Sequence, residues 1–137
     1  MVSWIKKQFN ISVFLLSIAI LSLFFSAYKA RISEQNQTTR SAAFEMLKKL
    51  NHLQFIIDKE FYGKSKEERF LDGWADVVFI DDLSIFTSGT VEQRTVELLK
   101  TWKSSFEHLD NQAVNEKLSL KIKETKKALK IVIIDLN

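Results

Sequence analysis

The sequence predicts a mainly α-helical fold, in which one N-terminal transmembrane helix is followed by an antiparallel bundle of helices. Three observations favour it: an uncharged apolar run covers residues 11–27, apolar residues recur later at helical spacing, and the chain has no proline and only three glycines. We expect an N-terminal flank, a transmembrane helix, a polar helical stalk and a soluble helical domain. Their boundaries are residues 1–10, 11–27, 28–41 and 42–137.

The transmembrane helix is predicted from the run ISVFLLSIAILSLFFSA, which contains no charged residue. At about 1.5 Å per residue the run spans roughly 25 Å, close to the hydrocarbon core of about 30 Å. Trp4 and Tyr28 are expected to anchor its ends, because their amphipathic rings favour membrane interfaces. A cleavable signal peptide needs small residues at the first and third positions before its cleavage site. Cleavage after Ala27 would place the large residue Phe25 at the third of these positions. We therefore expect an uncleaved signal anchor in a single-pass membrane protein.

Small residues form a stripe along this helix, and Ser22 and Ser26 have the spacing that lets transmembrane helices approach closely. We expect the stripe to be a seam for self-association. Its members are Ser12, Ala19, Ser22, Ser26 and Ala30. The alternative is that these small residues contact lipid without a protein partner.

The basic residues on the two sides of the membrane segment are nearly balanced, with Lys6 and Lys7 before it and Lys29, Arg31 and Arg40 after it. A basic flank ahead of the first apolar segment favours a cytoplasmic N terminus. The soluble domain is then expected outside the cytoplasm, which in a bacterium is the periplasm.

The helix that leaves the membrane is expected to continue to Tyr62, because no glycine or proline interrupts it and Gly63 then follows. One face of this stretch is apolar at steps of three and four residues. That face consists of Ala43, Leu47, Leu50, Ile57 and Phe61, with Phe44, Leu53 and Ile56 beside it.

The second element is ambiguous between helix and strand, because a short apolar run fits either. We favour a helix over residues 75–86. The alternative is an α+β domain, in which residues 76–81 pair with the β-branched stretch 131–136 as a short two-stranded sheet.

Two further amphipathic helices are predicted after Gly89. Thr90 and Gln93 have the spacing of a capping box, so Thr90 is expected to cap the third helix, and Asp110 or Asn111 the fourth. The third helix should bury the stripe Val91, Thr95, Leu98, Trp102, Phe106 and Leu109. The fourth should bury the stripe Val114, Leu118, Ile122, Thr125, Leu129 and Val132.

We predict no catalytic, cofactor or metal site. Cysteine is absent, and neither His52 nor His108 has an acidic residue three or four positions away, as helical metal sites usually require. The densest acidic cluster is expected to be solvated or to cap helices; it consists of Asp72, Asp76, Asp81 and Asp82. A net charge of +3 without an arginine-rich patch argues against a nucleic-acid partner.

Two groups of residues are candidates for contacts outside the domain. Lys126, Lys127 and Lys130 are expected near lipid headgroups if the last helix returns to the bilayer, with a merely solvated face as the alternative. The residues Phe70, Leu71 and Trp74, between the first two elements, are candidates for contact with a protein partner.

The stretch AAFEMLKKLNHLQFIIDKEFYGK, followed by GW and then by DLS before a helix start, resembles a group of small bacterial inner-membrane proteins with one N-terminal span. The resemblance covers residues 42–91. The group has no assigned activity, so the resemblance implies a bacterial inner-membrane location and adds no catalytic residue.

These observations together favour a noncatalytic role. We expect a membrane-tethered helical module that binds another envelope protein or assembles with itself, with the lipid bilayer as its other partner. The alternative is a sensing domain, since helical bundles on a single span can bind small molecules between their helices.

Overall fold

The computed structural model describes the backbone of residues 2–63 and 69–136 and the side chains of residues 13–63 and 71–136. The chain forms two compact units, Met1–Gln37 and Thr38–Asn137. The boundary between them falls within the stretch 28–41 that was expected to be a polar stalk. We call the second unit the helical domain.

The described chain consists of four α-helices and one short 3-10 turn. The helices are α1 (Val2–Tyr62), α2 (Arg69–Ser84), α3 (Gly89–Ser105) and α4 (Gln112–Asp135), and the turn is Phe106–His108. The mainly α prediction is confirmed, as is the end of the first helix before Gly63. The α+β alternative is wrong, because residues 76–81 lie within α2 and residues 131–135 within α4. Val77 and Ile80 face the core from helical positions, and such context overrides their strand propensity.

In the first unit, every described side chain from Val13 to Ala30 is exposed on the surface of α1. This part of α1 is long and apolar enough to cross a membrane, and none of its apolar window is buried in the protein. The hydroxyls of Ser17 and Ser22 donate to the carbonyl oxygens of Val13 and Ile18, at 2.8 Å each. These bonds satisfy the serines within the helix itself, as a lipid environment requires.

The core of the helical domain combines buried apolar residues from all four helices. The predicted stripes of α3 and α4 face this core, although Phe106, Val114 and Val132 are only partly buried. On α1, Phe44 is exposed, and Met46 is buried in its place. The largest fully buried side chains are Met46, Leu50, Leu53, Ile57, Val77, Ile80, Val91, Leu98, Trp102, Leu118, Ile122 and Leu129.

Each helix of the domain contacts two others. α3 packs against both α2 and α4. α1 is bonded to α2 through Asp76. Hydrogen bonds also join α1 to α4 and the residue that follows it, among them Arg40 Nη2 to Leu136 O at 3.0 Å, Gln54 Nε2 to Ser119 Oγ at 2.8 Å and Asn115 Nδ2 to Ile57 O at 3.3 Å. α2 and α4 are therefore separated by the other two helices and lie on opposite sides of the domain.

The residue that caps the N terminus agrees with the sequence prediction for α4 and differs from it for α3. Asn111 caps α4, its Oδ1 accepting from the backbone N–H of Ala113 at 2.9 Å and of Val114 at 3.4 Å. For α3 the prediction of Thr90 is wrong: Ser88 is the cap, and its Oγ accepts from the N–H of Val91 at 3.4 Å. Both residues are suitable cap types, and the backbone turn that ends at Thr87 starts the helix two residues earlier than expected.

Candidate interaction surfaces

Helix α2 carries apolar residues on both of its sides. Gly73, Val77 and Ile80 are buried in the core. Successive helical residues are rotated by about 100°, and the opposite side is also apolar and is exposed to solvent. This outer face of α2 consists of Leu71, Ala75, Val78 and Phe79, extended by Ile85 and Phe86 of the following turn. An amphipathic helix normally places polar residues there, so α2 has a face that the rest of the described domain does not cover.

The charges around the outer face of α2 have one sign. Every charged residue between Leu71 and Phe86 is an aspartate. Asp72 and Asp82 are exposed and Asp81 is partly buried, and none of the three forms an ion pair with a described residue. The outer face is therefore an apolar surface bordered by negative charges that no described residue neutralises.

Asp76 differs from the other three aspartates, and the expectation that it is solvated or a cap is wrong. Its side chain is 2% exposed, and its carboxylate accepts from Lys49 Nζ at 2.9 Å and contacts His52 Nδ1 at 2.5 Å. A buried carboxylate needs such partners, because burial without them is costly. Spacing within α2 indicates that Asp76 is on the buried side, one turn before Ile80, but it does not identify Lys49 and His52 of α1 as its partners.

Lys49 also connects the buried carboxylate of Asp76 to the outer face of α2. Its Nζ lies 5.5 Å from the centre of the Phe79 ring, in a cation–π arrangement. His52 stacks on Phe55 with ring centres 6.5 Å apart. Within the described residues, no group of three or more histidine, aspartate or glutamate side chains is arranged to hold a metal ion. The bonds of Lys49 and His52 with Asp76 make this cluster a contact between α1 and α2.

On the opposite side of the domain, α4 exposes apolar side chains among lysines. Its outer face consists of Leu120, Lys123, Lys127, Lys130, Ile131 and Ile134, all of them exposed. None of these three lysines forms an ion pair with another residue in the part of the chain that is described. The outer face of α4 is therefore apolar and positively charged.

The three lysines that were predicted to contact lipid headgroups do not share one environment. Lys127 and Lys130 are exposed on the outer face of α4, whereas Lys126 is partly buried. Burial lowers the pKa of Lys126, the neighbouring Lys130 lowers it further, and Asp58 opposes both effects. The headgroup contact remains a prediction.

Charges between α3 and α4 neutralise one another. Lys121 Nζ donates to Glu97 Oε2 at 2.9 Å and to Glu124 Oε2 at 3.2 Å, and Arg94 pairs with both glutamates. The hydrogen bond and charge of Lys121 lower the pKa of Glu97. The hydrogen bonds to both glutamates raise the pKa of Lys121. The side of the domain between α3 and α4 thus differs from the two outer faces, whose charged residues form no ion pair with a described residue.

The predicted partner contacts around residues 70–74 are divided between two surfaces. Leu71 lies on the outer face of α2 and is 75% exposed. Trp74 instead packs edge-to-face against Trp102 and Phe106, with ring centres 6.4 Å and 5.4 Å apart. The side chain of Phe70 lies outside the described residues. Leu71 therefore remains a candidate for partner contact on its own face, and Trp74 mainly joins α2 to α3.

Gly73 permits the close approach of α2 to α3. A Cβ atom at this position would lie 2.4 Å from Cη2 and Cζ2 of the Trp102 side chain. Trp102 is fully buried, and its Nε1 has no hydrogen-bond partner among the described residues. The indole ring therefore occupies the space that a larger residue at position 73 would need.

In the N-terminal part of α1, the described members of the predicted seam are all exposed: Ala19, Ser22, Ser26 and Ala30. Ser22 and Ser26 lie in a shallow depression of the helix surface, beside Ile18, Leu21 and Phe25. Tyr28 is 66% exposed. The side chains of Trp4 and Ser12 lie outside the described residues. Self-association through this seam remains a prediction.

No protein-family model, no curated protein and no solved structure matches the chain.

Proposed function

We propose that the protein is a noncatalytic assembly component, held by a single span in the bacterial inner membrane, whose helical domain binds an envelope protein or another copy of itself. The observation that supports this proposal is the exposed apolar outer face of α2. Its side chains are large and exposed, with Leu71 at 75%, Ile85 at 67% and Phe86 at 48%. Contiguous exposed apolar surface of this kind marks interaction sites in folded proteins.

The domain is proposed to be an antiparallel bundle. Residues near its start and its end are bonded, as in Arg40 with Leu136, and later residues of α1 are bonded to the first turn of α4, as in Ile57 with Asn115. Ion pairs between α3 and α4 follow the same opposite order. Short connections between successive helices also favour antiparallel neighbours. In such a bundle α2 and α4 run in the same direction.

The domain is proposed to lie in the periplasm, on the basis of the basic N-terminal flank. Single-cysteine variants test this, since the natural chain has no cysteine. Lys100→Cys, on the exposed side of α3, should react with a membrane-impermeant maleimide in intact cells. A variant that reacts only after the inner membrane is permeabilised would place the domain in the cytoplasm.

Crosslinking in intact membranes tests the proposed assembly role. A lysine-reactive crosslinker should join the chain to a second protein or to itself, and mass spectrometry identifies the product. Phe79→Ser, on the outer face of α2, should reduce the crosslinked product severalfold, because binding depends on burying that face. Val96→Ser is the matched control on α3, since Val96 is also exposed. A chain that stays uncrosslinked and monomeric in mild detergent would contradict the proposal.

Small-molecule sensing is the second candidate, and the ion-paired cluster is the observation that favours it. Lys49 and His52 are 39% and 49% exposed above a buried carboxylate, so a small anion can approach both of them. Inorganic phosphate is a simple probe. Under this second function it should raise the melting temperature of the protein, and Lys49→Met should remove the increase. The absence of any stabilisation by phosphate would argue against it.

A further inference from the structure

Two opposite sides of the helical domain carry exposed apolar side chains with opposite charge. The outer face of α2 is bordered by Asp72, Asp81 and Asp82, and no described residue neutralises them. The outer face of α4 includes Lys123 and Lys127. These lysines form no ion pair with a described residue. A surface that is apolar and acidic and another that is apolar and basic are complementary.

The two faces cannot meet within one molecule. α1 and α3 lie between α2 and α4, since each of them is bonded to or packed against both. A second copy of the chain, placed beside the first, brings the α2 face of one against the α4 face of the other. Copies anchored in one membrane have the same orientation, so the two parallel helices then lie side by side.

Hydrogen bonds within the domain indicate which residues of α2 and α4 lie at the same level, that is, at the same height along the common axis of the helices. Asp76 is bonded to Lys49 and His52 of α1, and Gln54 of α1 is bonded to Ser119 of α4. Because α1 and α4 run in opposite directions, the residues of α4 level with Lys49 and His52 lie roughly two to five positions after Ser119. Asp76 is therefore near the level of Ile122.

This correspondence places matching residues of the two faces opposite each other in neighbouring copies. Since α2 and α4 run in the same direction, Asp82 lies near the level of Lys127, and Phe86 lies near the level of Ile131. An acidic residue then meets a basic one, and an aromatic ring meets an aliphatic side chain. One axial alignment of α2 with α4 of the next copy therefore brings together both the oppositely charged residues and the apolar residues.

We infer that the helical domain assembles with further copies of itself, the outer face of α2 in one copy packing on the outer face of α4 in the next. The inference rests on the proposed assembly function and names the partner. The interface joins two different surfaces, so each copy keeps one free face of each kind. Such contacts generate rings where the rotation closes and open rows where it does not.

Paired cysteines test the contact directly, because the natural chain has no cysteine. Two differently tagged chains are expressed together, one with Asp82→Cys and the other with Lys127→Cys, and the membranes are oxidised. The expected result is a disulfide between the two tags. Asp82→Cys with Lys100→Cys, on the exposed side of α3, is the matched control and should give at least severalfold less product.

Charge exchange provides the second measurement. Asp82→Lys and Lys127→Asp, each made alone, should reduce the self-crosslinked product of the full-length chain severalfold, since each puts like charges together. The double variant should recover it, because the pair is restored with reversed sign. A membrane surface or an unrelated partner that binds one face gives no reason for recovery.

Four outcomes would overturn the inference. An oligomeric chain without the disulfide between Asp82→Cys and Lys127→Cys would show that copies meet through other surfaces, and the proposed assembly role would survive. A disulfide between two Asp82→Cys chains in preference to the mixed pair would show a two-fold contact of α2 with α2. Salt-sensitive binding to vesicles of anionic phospholipid that Lys127→Asp abolishes, without self-crosslinking, would assign the α4 face to lipid. A monomeric chain with no crosslinked neighbour would contradict the proposed function as well.

Discussion

Helices α2 and α3 bury similar faces and expose opposite kinds of surface. α2 contributes Val77 and Ile80 to the core, and α3 contributes Leu98 and Trp102. On the solvent side the outer face of α2 is apolar, whereas Val96 is the single large apolar side chain that α3 exposes. One apolar face is enough to fold a helix onto a core. This difference between the two solvent-facing sides is the reason for proposing the outer face of α2 as a contact surface, and four predictions test the comparison.

The largest effect is expected from removing side-chain volume on the inner side of α2. Ile80 is fully buried, so Ile80→Ala should lower the free energy of unfolding by about 2–5 kcal/mol, because it leaves a cavity in the core. Val78, on the outer face, is 46% exposed, and Val78→Ala should change the same quantity by less than about 0.5 kcal/mol. Urea unfolding of detergent-solubilised protein, followed by tryptophan fluorescence, measures both. Equal losses would show that the monomer packs both faces of α2.

The contact between α2 and α3 gives the next largest effect. Gly73→Ala should destabilise the domain by about 1–3 kcal/mol, because the new methyl group collides with the Trp102 ring and overpacking costs this much. Gly89→Ala is the matched control, since a Cβ atom there meets nothing within 4 Å. The same urea titration compares the two variants. If Gly73→Ala were as stable as the natural protein, the close approach of the two helices would be wrong.

The buried carboxylate of α2 should matter more than an exposed one. Asp76→Asn removes the charge that pairs with Lys49 and His52, and it should cost about 1–2 kcal/mol, a value kept small because both partners are half-exposed. Asp72→Asn, at an exposed position of the same helix, should cost less than about 0.5 kcal/mol. Thermal melts at neutral pH measure the difference. A larger loss for Asp72→Asn would reverse the assignment of inner and outer sides.

The smallest effect concerns the paired charges between α3 and α4. Lys121 lowers the pKa of Glu97 below its ordinary value of 4.5. The stability contributed by this pair is therefore present above about pH 4.5 and is lost as the pH falls through the lower pKa of the folded state. Glu97→Gln should flatten the acid side of a plot of melting temperature against pH, whereas Glu92→Gln, an exposed change on the same helix, should not. Identical acid profiles for the two variants would exclude the pairing.

The helices were predictable where one apolar stripe dominates the pattern. The stripes of α3 and α4 follow three- and four-residue spacing without interruption, so residues such as Leu98 and Leu118 were placed in the core from the sequence. α2 was ambiguous because its apolar residues occur on both sides, and periodicity then fails to separate helix from strand. The same feature that obscured its secondary structure marks it as a candidate interaction helix.

The candidate surfaces were only partly predictable. Residues 70–74 were chosen for their aromatic character, but Trp74 packs toward α3 and only Leu71 lies on the outer face of α2. A projection of α2 as a helix would have shown Val78 opposite Ile80 and Phe79 opposite Val77. The bonds of Asp76 with α1 were not predictable from spacing within one helix, because both partners belong to another element.

Lys49 has a consequence for any molecule that covers α2. Its ammonium group contacts the buried carboxylate of Asp76 on one side and the ring of Phe79 on the other. Covering Phe79 removes water from that ammonium, and the attraction between Lys49 and Asp76 strengthens as the local dielectric constant falls. Docking on the outside of the domain and the cohesion of α1 with α2 are thus thermodynamically linked, so an occupied surface would make the domain harder to unfold.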